Sequence, residues 1–311
     1  MPSSRTAIIK KIDGAALGAE FFRDHFRAER PLNVVFDCSN GPTGCLLKRA
    51  LKNHPAIGYV ILNSKPDGDF PAHGPDPTKP GALAELASEV RDNAADLGVA
   101  FDADGDRAVF VGDDGEEIGA NAISRLLLES LAPKKALIDL RVGWLVKDAV
   151  RDGLIRTNVR ESRVGHYFIK KAMRRGGIEF ASELSGHYYF RDFFYADSGL
   201  MAAAKVIEAA SRMPKSLSAW KNSLPRYHRL PETNFEVENK TEALRRIEKR
   251  FRREARVLSR LDGLSLEFDE WWLNLRPSNT ENLLRLNLEA RTKRAFDSAV
   301  MEVMEELKAK S

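Results

Sequence analysis

The sequence predicts an α/β protein: two related mixed-sheet α/β domains followed by a C-terminal α+β domain. Three observations carry this. Strand-like and helix-like segments alternate through residues 31–116, and the same alternation restarts after Gly119. The strands it joins (LNVVFD, LGVAF, KALIDL) are short apolar runs, as buried strands of partly parallel sheets are. Residues 232–311 instead read strand, basic helix, strands and a last helix. A chain of 311 residues, 43% hydrophobic and 30% charged, is long enough for these separate cores.

The elements follow in order. IDGAALGAEFFRDHFRAER, 12–30, reads as a helix with Leu17, Phe21, Phe22 and Phe26 on one face. Residues 1–30 are assigned to this N-terminal linker helix. Pro31 punctuates, and LNVVFDCSNGPTG is a buried strand entering a Gly/Pro turn. CLLKRALKNH is a helix and GYVILN a second strand, which makes a βαβ unit. SKPDGDFPAHGPDPTKPG, with five prolines, is a long structured loop. ALAELASEVRDNAA is a helix, LGVAF a strand and AVFVG another, closing a first domain over 31–116. The second, 117–226, reads helix (NAISRLLLESLA), strand (KALIDL) and two helices (GWLVKDAVRDG, GHYFIKKAMRRG). IEFASELSGHYYF then gives strand, loop and strand, before a helix over DSGLMAAAKVIEAASR. Residues 214–231 are Pro/Lys/Ser-rich and read as a hinge to the last domain, 227–311. Within it, EALRRIEKRFRREARVLSR, 242–260, places Leu244, Ile247, Phe251 and Leu258 at helical spacing.

Composition narrows the function. A net charge of +4 is too weak to point to nucleic acid, and the basic helix reads first as a solvated face, with a polyanion patch as the alternative. No apolar run approaches the roughly 18 residues of a membrane span, and MPSSRTAIIKKIDG lacks the apolar stretch of a signal peptide. Cys38 and Cys45 have no His or Cys at zinc spacing; free cytosolic thiols are expected, with a single disulfide across that short loop as the alternative.

FDADGDRAVF, 101–110, is the sharpest signal. Asp102, Asp104 and Asp106 sit two apart around Gly105. Alternate carboxylates of an extended segment converge on one hard cation, which points to Mg²⁺. Arg107 then pairs an aspartate or meets a substrate phosphate. An EF-hand is excluded, because its glycine and glutamate positions hold Arg107 and Asp113. A phosphatase-type aspartyl nucleophile needs Thr or Val where Asp106 stands. An Asp-rich turn without a metal is the remaining alternative.

Two further loops carry polar clusters. SELSGHYYFRD places Glu183, Ser185 and His187 between strands. These side chains suit sugar hydroxyls, and His187 also suits acid–base work. RPSNTEN offers Arg276 as a planar fork and Ser278 and Thr280 as hydroxyl donors for a phosphate. Read alone, each is equally a polar turn. Together, a cation loop, a hydroxyl-recognising loop and a phosphate cradle, one per segment, fit a phosphosugar held between domains.

From about residue 31 onward the chain resembles the α-D-phosphohexomutases, most closely the bacterial phosphomannomutase/phosphoglucomutase group, through VVFDCSNGPTG, DGDFPAHGPDPTKP, FDADGDR, RVGHYFIKKAM, ELSGHYYF and RPSNTEN. The resemblance implies family domains 2, 3 and 4, the last TBP-like. Asp102, Asp104 and Asp106 would then be Mg²⁺ ligands. Glu183, Ser185 and His187 would contact the sugar, and Arg276, Ser278 and Thr280 its phosphate. Arg107, Arg141 and His166 would line the reaction centre. It implies a cytoplasmic enzyme interconverting hexose 1- and 6-phosphates of mannose or glucose, with glucosamine phosphate as the alternative substrate.

Two departures stand out. Arg141 in IDLRVGW occupies the position of a family lysine, and arginine hardly deprotonates. The family's first domain, whose Ser-His loop carries the phosphoserine, has no counterpart: no Ser-His pair occurs in the sequence, and Ser3 and Ser4 lie at the chain's end. The resemblance therefore implies a split mutase with a protein partner supplying the serine. The alternatives are a non-catalytic phosphosugar-binding or regulatory protein derived from a mutase, and a truncated product.

Overall fold

The structure is a computed structural model and describes residues 12–278 and 281–308. The first unit comprises α1 (Gly14–Arg23), β1 (Leu32–Asp37), α2 (Thr43–Ala50), β2 (Ile57–Leu62), α3 (Ala84–Asp92), β3 (Leu97–Phe101), β4 (Ala108–Gly112) and β5 (Glu117–Ile118). Its sheet runs β2-β1-β3-β4-β5, parallel as far as β3 and antiparallel beyond. β3 and β4 are buried along their whole length. They therefore read as unbroken apolar runs rather than alternating ones.

The second unit comprises α4 (Ala120–Leu131), β6 (Lys135–Asp139), α5 (Trp144–Arg151), β7 (Asn158–Ser162), α6 (His166–Gly176), β8 (Phe180–Ser182), β9 (Tyr188–Phe190), β10 (Ala196–Asp197), α7 (Gly199–Arg212) and α8 (Leu217–Asn222). Its sheet, β7-β6-β8-β9-β10, repeats the first strand for strand, with parallel pairs first and antiparallel ones after. The repetition places the β3–β4 loop (FDADGDR) and the β8–β9 loop (ELSGH) at equivalent points of the two sheets. One apolar core runs through both units, from Phe36 and Phe101 across Ile123 and Leu127 of α4 to Ala203 and Ile207 of α7.

The third unit comprises β11 (His228–Glu236), α9 (Lys240–Phe251), β12 (Val257–Ser259), β13 (Leu264–Glu267), β14 (Trp271–Pro277), β15 (Leu283–Ala290) and α10 (Lys293–Lys308). Its antiparallel sheet, ordered β11-β15-β14-β13-β12, has a separate core that takes Ile247 and Phe251 from α9 and Val303 and Leu307 from α10. The expected mixed-sheet pair plus an α+β module is therefore present. Among the described residues no helix is long and apolar enough to cross a membrane.

Three local expectations fail. The N-terminal helix stops at Arg23, seven residues short of the periodicity's limit. Phe22 and Phe26 enter the core, but Leu17 is 58% exposed and off that face. The basic helix ends at Phe251, and Leu258 lies in β12 opposite Leu266. A strand pairing supplied by distant residues there overrides helical spacing. The proposed hinge holds α8, capped by Ser216 and tied back to the first unit by Ser218 N–H donating to Asp113 at 3.0 Å.

The second and third units meet through charged groups. Asp148 accepts from Arg291 Nη1 at 2.6 Å, Arg151 Nη1 at 2.7 Å and the Tyr227 hydroxyl at 2.7 Å. Burial opposes its ionisation, but the hydrogen bonds from Arg291 and Tyr227 outweigh that and hold its pKa below the ordinary 3.8. A carboxylate with a depressed folded pKa stabilises the fold above its unfolded pKa and loses that contribution as pH falls through the folded value. Thermal melting of the protein and of Asp148→Asn, from about pH 6 down to about pH 3, should show a gap in Tm that closes toward acid.

Candidate active site

The triple-aspartate loop turns between β3 and β4, beyond the carboxyl end of parallel β3. A carboxylate oxygen from each of Asp102, Asp104 and Asp106 lies within 4.8 Å of the others. Their environments differ. Asp102 is buried; its Oδ1 accepts from Gly105 N–H and Arg107 N–H, both at 3.1 Å, and its Oδ2 from Arg107 Nε at 2.6 Å. Burial raises its pKa. Asp104 is exposed. Asp106 stands beside His187, whose ring holds its carboxyl below the usual range. Asp106 Oδ1 is buried with no hydrogen-bond partner. Three hard oxygen donors, one of them an orphaned buried atom, fit a divalent cation.

Arg107 also reaches Asp76 Oδ1 at 3.1 Å, which ties the proline-rich loop to the metal loop. Ala103 N–H donates to Pro75 O at 3.0 Å in the same contact. Gly105 has φ +76°, and a Cβ there would lie 2.4 Å from Thr43 Oγ1. Gly105→Ala should therefore distort the loop at a cost of about 1–3 kcal/mol and weaken cation binding with it. Chemical denaturation and a Mg²⁺ titration check both effects.

The ELSGH loop is fastened directly to this one. Ala108 N–H donates to Gly186 O at 3.1 Å, Gly199 N–H donates to Gly105 O at 3.0 Å, and Arg107 and His187 form an antiparallel bridge. Glu183 is buried; it accepts from Gly165 N–H at 2.8 Å and from the Tyr189 hydroxyl at 2.5 Å. His187 Nδ1 lies 2.9 Å from Ser185 Oγ, and its Nε2 lies 3.3 Å from Asp106 Oδ1. Burial opposes charge on His187, but Asp106, Glu183 and Asp197 outweigh it and raise the pKa. His166 is exposed at the first position of α6, next to the Gly165 that Glu183 holds.

Arg141 is buried, in a bidentate pair with Asp139 and 3.4 Å from Glu232 of β11. Burial disfavours its charge, yet Asp139 and Glu232 together raise its pKa further. It is a fixed cation bridging two units, with no proton to exchange. Glu232 also meets Arg276 Nη2 at 3.4 Å, Arg285 Nη1 at 3.8 Å and Asn287 Nδ2 at 3.1 Å. Arg276 and Ser278 border a cavity of about 420 Å³ with Arg285, joined by Arg163 and Arg260. Ser278 is buried, its Oγ accepting from Glu281 N–H at 3.3 Å. Thr280 lies outside the described residues, as do Ser3 and Ser4.

The structure thus joins the triple-aspartate and ELSGH loops into one assembly and places the arginine cavity where the third unit meets the second. Sequence reasoning missed Asp76, Asp139, Arg229, Glu232 and Arg285. Asp76, Arg229, Glu232 and Arg285 hold charged groups distant in sequence, so no local spacing marks them, while Asp139 holds the nearby Arg141. The equivalence of Asp37 and Asp139, each ending the first strand of its sheet, was the one readable signal.

Comparison with known proteins now bears on this arrangement. Residues 18–115 match the phosphoglucomutase/phosphomannomutase α/β/α domain II, residues 114–227 match domain III, and residues 232–306 match the C-terminal domain of that family. A phosphomannomutase of Methanocaldococcus jannaschii is 35% identical over 275 residues, covering 87% of this chain and 60% of that protein. An Escherichia coli phosphomannomutase is 35% identical over 285 residues, covering 88% of this chain and 61% of that protein. The crystal structure of a phosphoglucomutase/phosphomannomutase family protein from Burkholderia thailandensis superposes with a TM-score of 0.85 at 29% identity, over 96% of this chain and 65% of the other. The chain spans about three fifths of the curated relatives it matches. It belongs to the phosphoglucomutase/phosphomannomutase family, represented by domains II, III and IV.

Proposed function

We propose that this chain is the metal-, sugar- and phosphate-binding part of a phosphohexomutase interconverting the 1- and 6-phosphates of mannose or glucose. Asp102, Asp104 and Asp106 hold Mg²⁺, which when bound offsets charge on the transferring phosphoryl group. Glu183, Ser185 and His187 orient the sugar hydroxyls, with the Glu183 carboxylate held in place by the Gly165 N–H and the Tyr189 hydroxyl. Arg276, Ser278 and Thr280 take the resident phosphate, with Arg285 adding charge at the cavity's edge. Arg107 and His166 line the reaction centre, and Arg141 positions the phosphate-binding unit through Glu232. The serine nucleophile comes from outside these 311 residues, because no Ser-His pair occurs in them.

One observation supports this reading above the rest: the backbone bridge between Arg107 and His187, which fixes the cation loop and the sugar loop at one distance. Preorganisation of that kind serves a ligand with a phosphoryl group and neighbouring hydroxyls. Isothermal titration with mannose 6-phosphate and glucose 6-phosphate tests it. Binding should weaken by about ten- to a hundredfold in Arg276→Ala, given about 1.5–3 kcal/mol for a charged hydrogen bond. Equal affinity in the variant would overturn the phosphate assignment. The second reading, a phosphosugar-binding protein without turnover, is favoured by Arg141, whose guanidinium is occupied by Asp139 and Glu232 and hardly deprotonates.

A further inference from the structure

A second group of metal-ligating side chains stands beside the first. Asp106, His187 and Asp197 each present a ligand atom within 4.8 Å of the other two. Asp106 comes from the β3–β4 loop, His187 from the loop before β9 and Asp197 from the end of β10, so the set spans both fused units. Two details separate it from an ordinary cluster of acidic residues.

The first is the pair Asp106 and His187. His187 Nε2 and Asp106 Oδ1 are 3.3 Å apart, yet Asp106 Oδ1 has no hydrogen-bond partner and no contact with solvent. Two atoms bound at about 2.0–2.1 Å to one tetrahedral zinc ion stand about 3.3–3.4 Å from each other. The observed separation matches two ligands of one metal. Asp197 adds a carboxylate that is only 9% exposed. One of its oxygens receives Lys170 Nζ at 2.6 Å, while Oδ2 is buried with no partner.

The second detail is the far side of the imidazole. Metal-bound histidines characteristically engage their other ring nitrogen with an oxygen, which fixes the ring's orientation. His187 Nδ1 lies 2.9 Å from Ser185 Oγ and 3.7 Å from Glu183 Oε2. The ring is therefore held with Nε2 toward Asp106.

We propose that Asp106, His187 and Asp197 form a second divalent-cation site, which shares only Asp106 with the triple-aspartate loop and takes zinc-class metals in preference to magnesium. The donor set gives the selectivity: one imidazole and two carboxylates suit Zn²⁺, whereas Mg²⁺ favours all-oxygen sites. A metal seated there removes His187 from its place in the sugar loop. On the mutase reading it acts as an inhibitor that leaves the phosphate cavity untouched.

The test is a Zn²⁺ titration against a chromophoric chelator, with Mg²⁺ in large excess and in a Cys45→Ser background so that the exposed thiol does not contribute. Co²⁺ absorption serves as a second readout of tetrahedral nitrogen and oxygen ligation. His187→Gln and Asp197→Asn should each lower zinc affinity at least about tenfold and abolish the cobalt bands. Asp104→Asn, which alters the triple-aspartate loop alone, should retain both. Zinc affinity unchanged in either of the first two variants overturns the site, as does loss of binding in Asp104→Asn. Zinc should also raise the Tm of the parent protein but not of His187→Gln, which separates loss of the site from loss of the fold.

Discussion

Asp104→Ala should abolish Mg²⁺-dependent phosphoryl transfer while leaving stability almost unchanged. Asp104 is exposed, and surface substitutions of this kind stay within about 0.5 kcal/mol. Its neighbours are already committed elsewhere. Asp102 supports its own loop and Arg107, and Asp106 faces His187. On the proposed metal site, Asp104 is thus the carboxylate whose removal would take a ligand from the cation at least cost to the fold. Lewis-acid stabilisation of several kcal/mol converts to a loss on the order of a thousandfold in turnover. Single-turnover rates with a phosphoserine donor, read beside a denaturant titration, check the two halves of the statement. An unstable variant, or one with normal Mg²⁺ dependence, would contradict it.

Glu289→Ala should cost about 3–5 kcal/mol, as the loss of one partner from a buried charge pair does. Glu289 is 1% exposed at the end of β15. It accepts from Trp144 N–H at 2.8 Å and Trp272 Nε1 at 3.0 Å, and lies 3.6 Å from Arg229 Nη1. Arg229 also donates to the carbonyl of Arg141. Burial lowers the pKa of Arg229, so this cation depends on Glu289 for its charge. Truncation would take the acceptor from the Trp144 N–H and the Trp272 Nε1–H, and the counter-charge from Arg229, at the joint between the second and third units. Urea denaturation should show a lower midpoint, with loss of the third unit preceding the rest. An unchanged midpoint would mean that the joint contributes little.

The sequence was most legible where one physical rule dominated. Buried strands such as LGVAF and AVFVG are apolar throughout because both faces of their sheet are covered. The loop between them stood out because three carboxylates fall at a two-residue spacing, and the structure brings an oxygen of each within 4.8 Å of the others. Polar β7 (NVRES) went unrecognised, since half-exposed edge strands carry little apolar signal. Leu258 fitted a helix by period and a strand by partner, and only the distant Leu266 decided between them. The site shows the same division. Arg276 and His187 stand in recognisable loops, whereas Glu232, which gathers Arg141, Arg276 and Arg285, sits in an unremarkable LPETN segment. Its role exists only once strands 50 residues apart in sequence are paired, as β11 and β15 are.

The central claim is that this chain holds the cation, sugar and phosphate sites of a mutase and lacks its nucleophile. The most direct measurement is a coupled mutase assay on the purified chain with mannose 1-phosphate or glucose 1-phosphate, Mg²⁺ and the matching hexose 1,6-bisphosphate. No turnover by the chain alone, with phosphosugar binding retained and turnover restored by an added phosphoserine-bearing domain, is the predicted result. Steady turnover by the chain alone that disappears in Asp104→Ala would contradict it, and would place a nucleophile within these 311 residues.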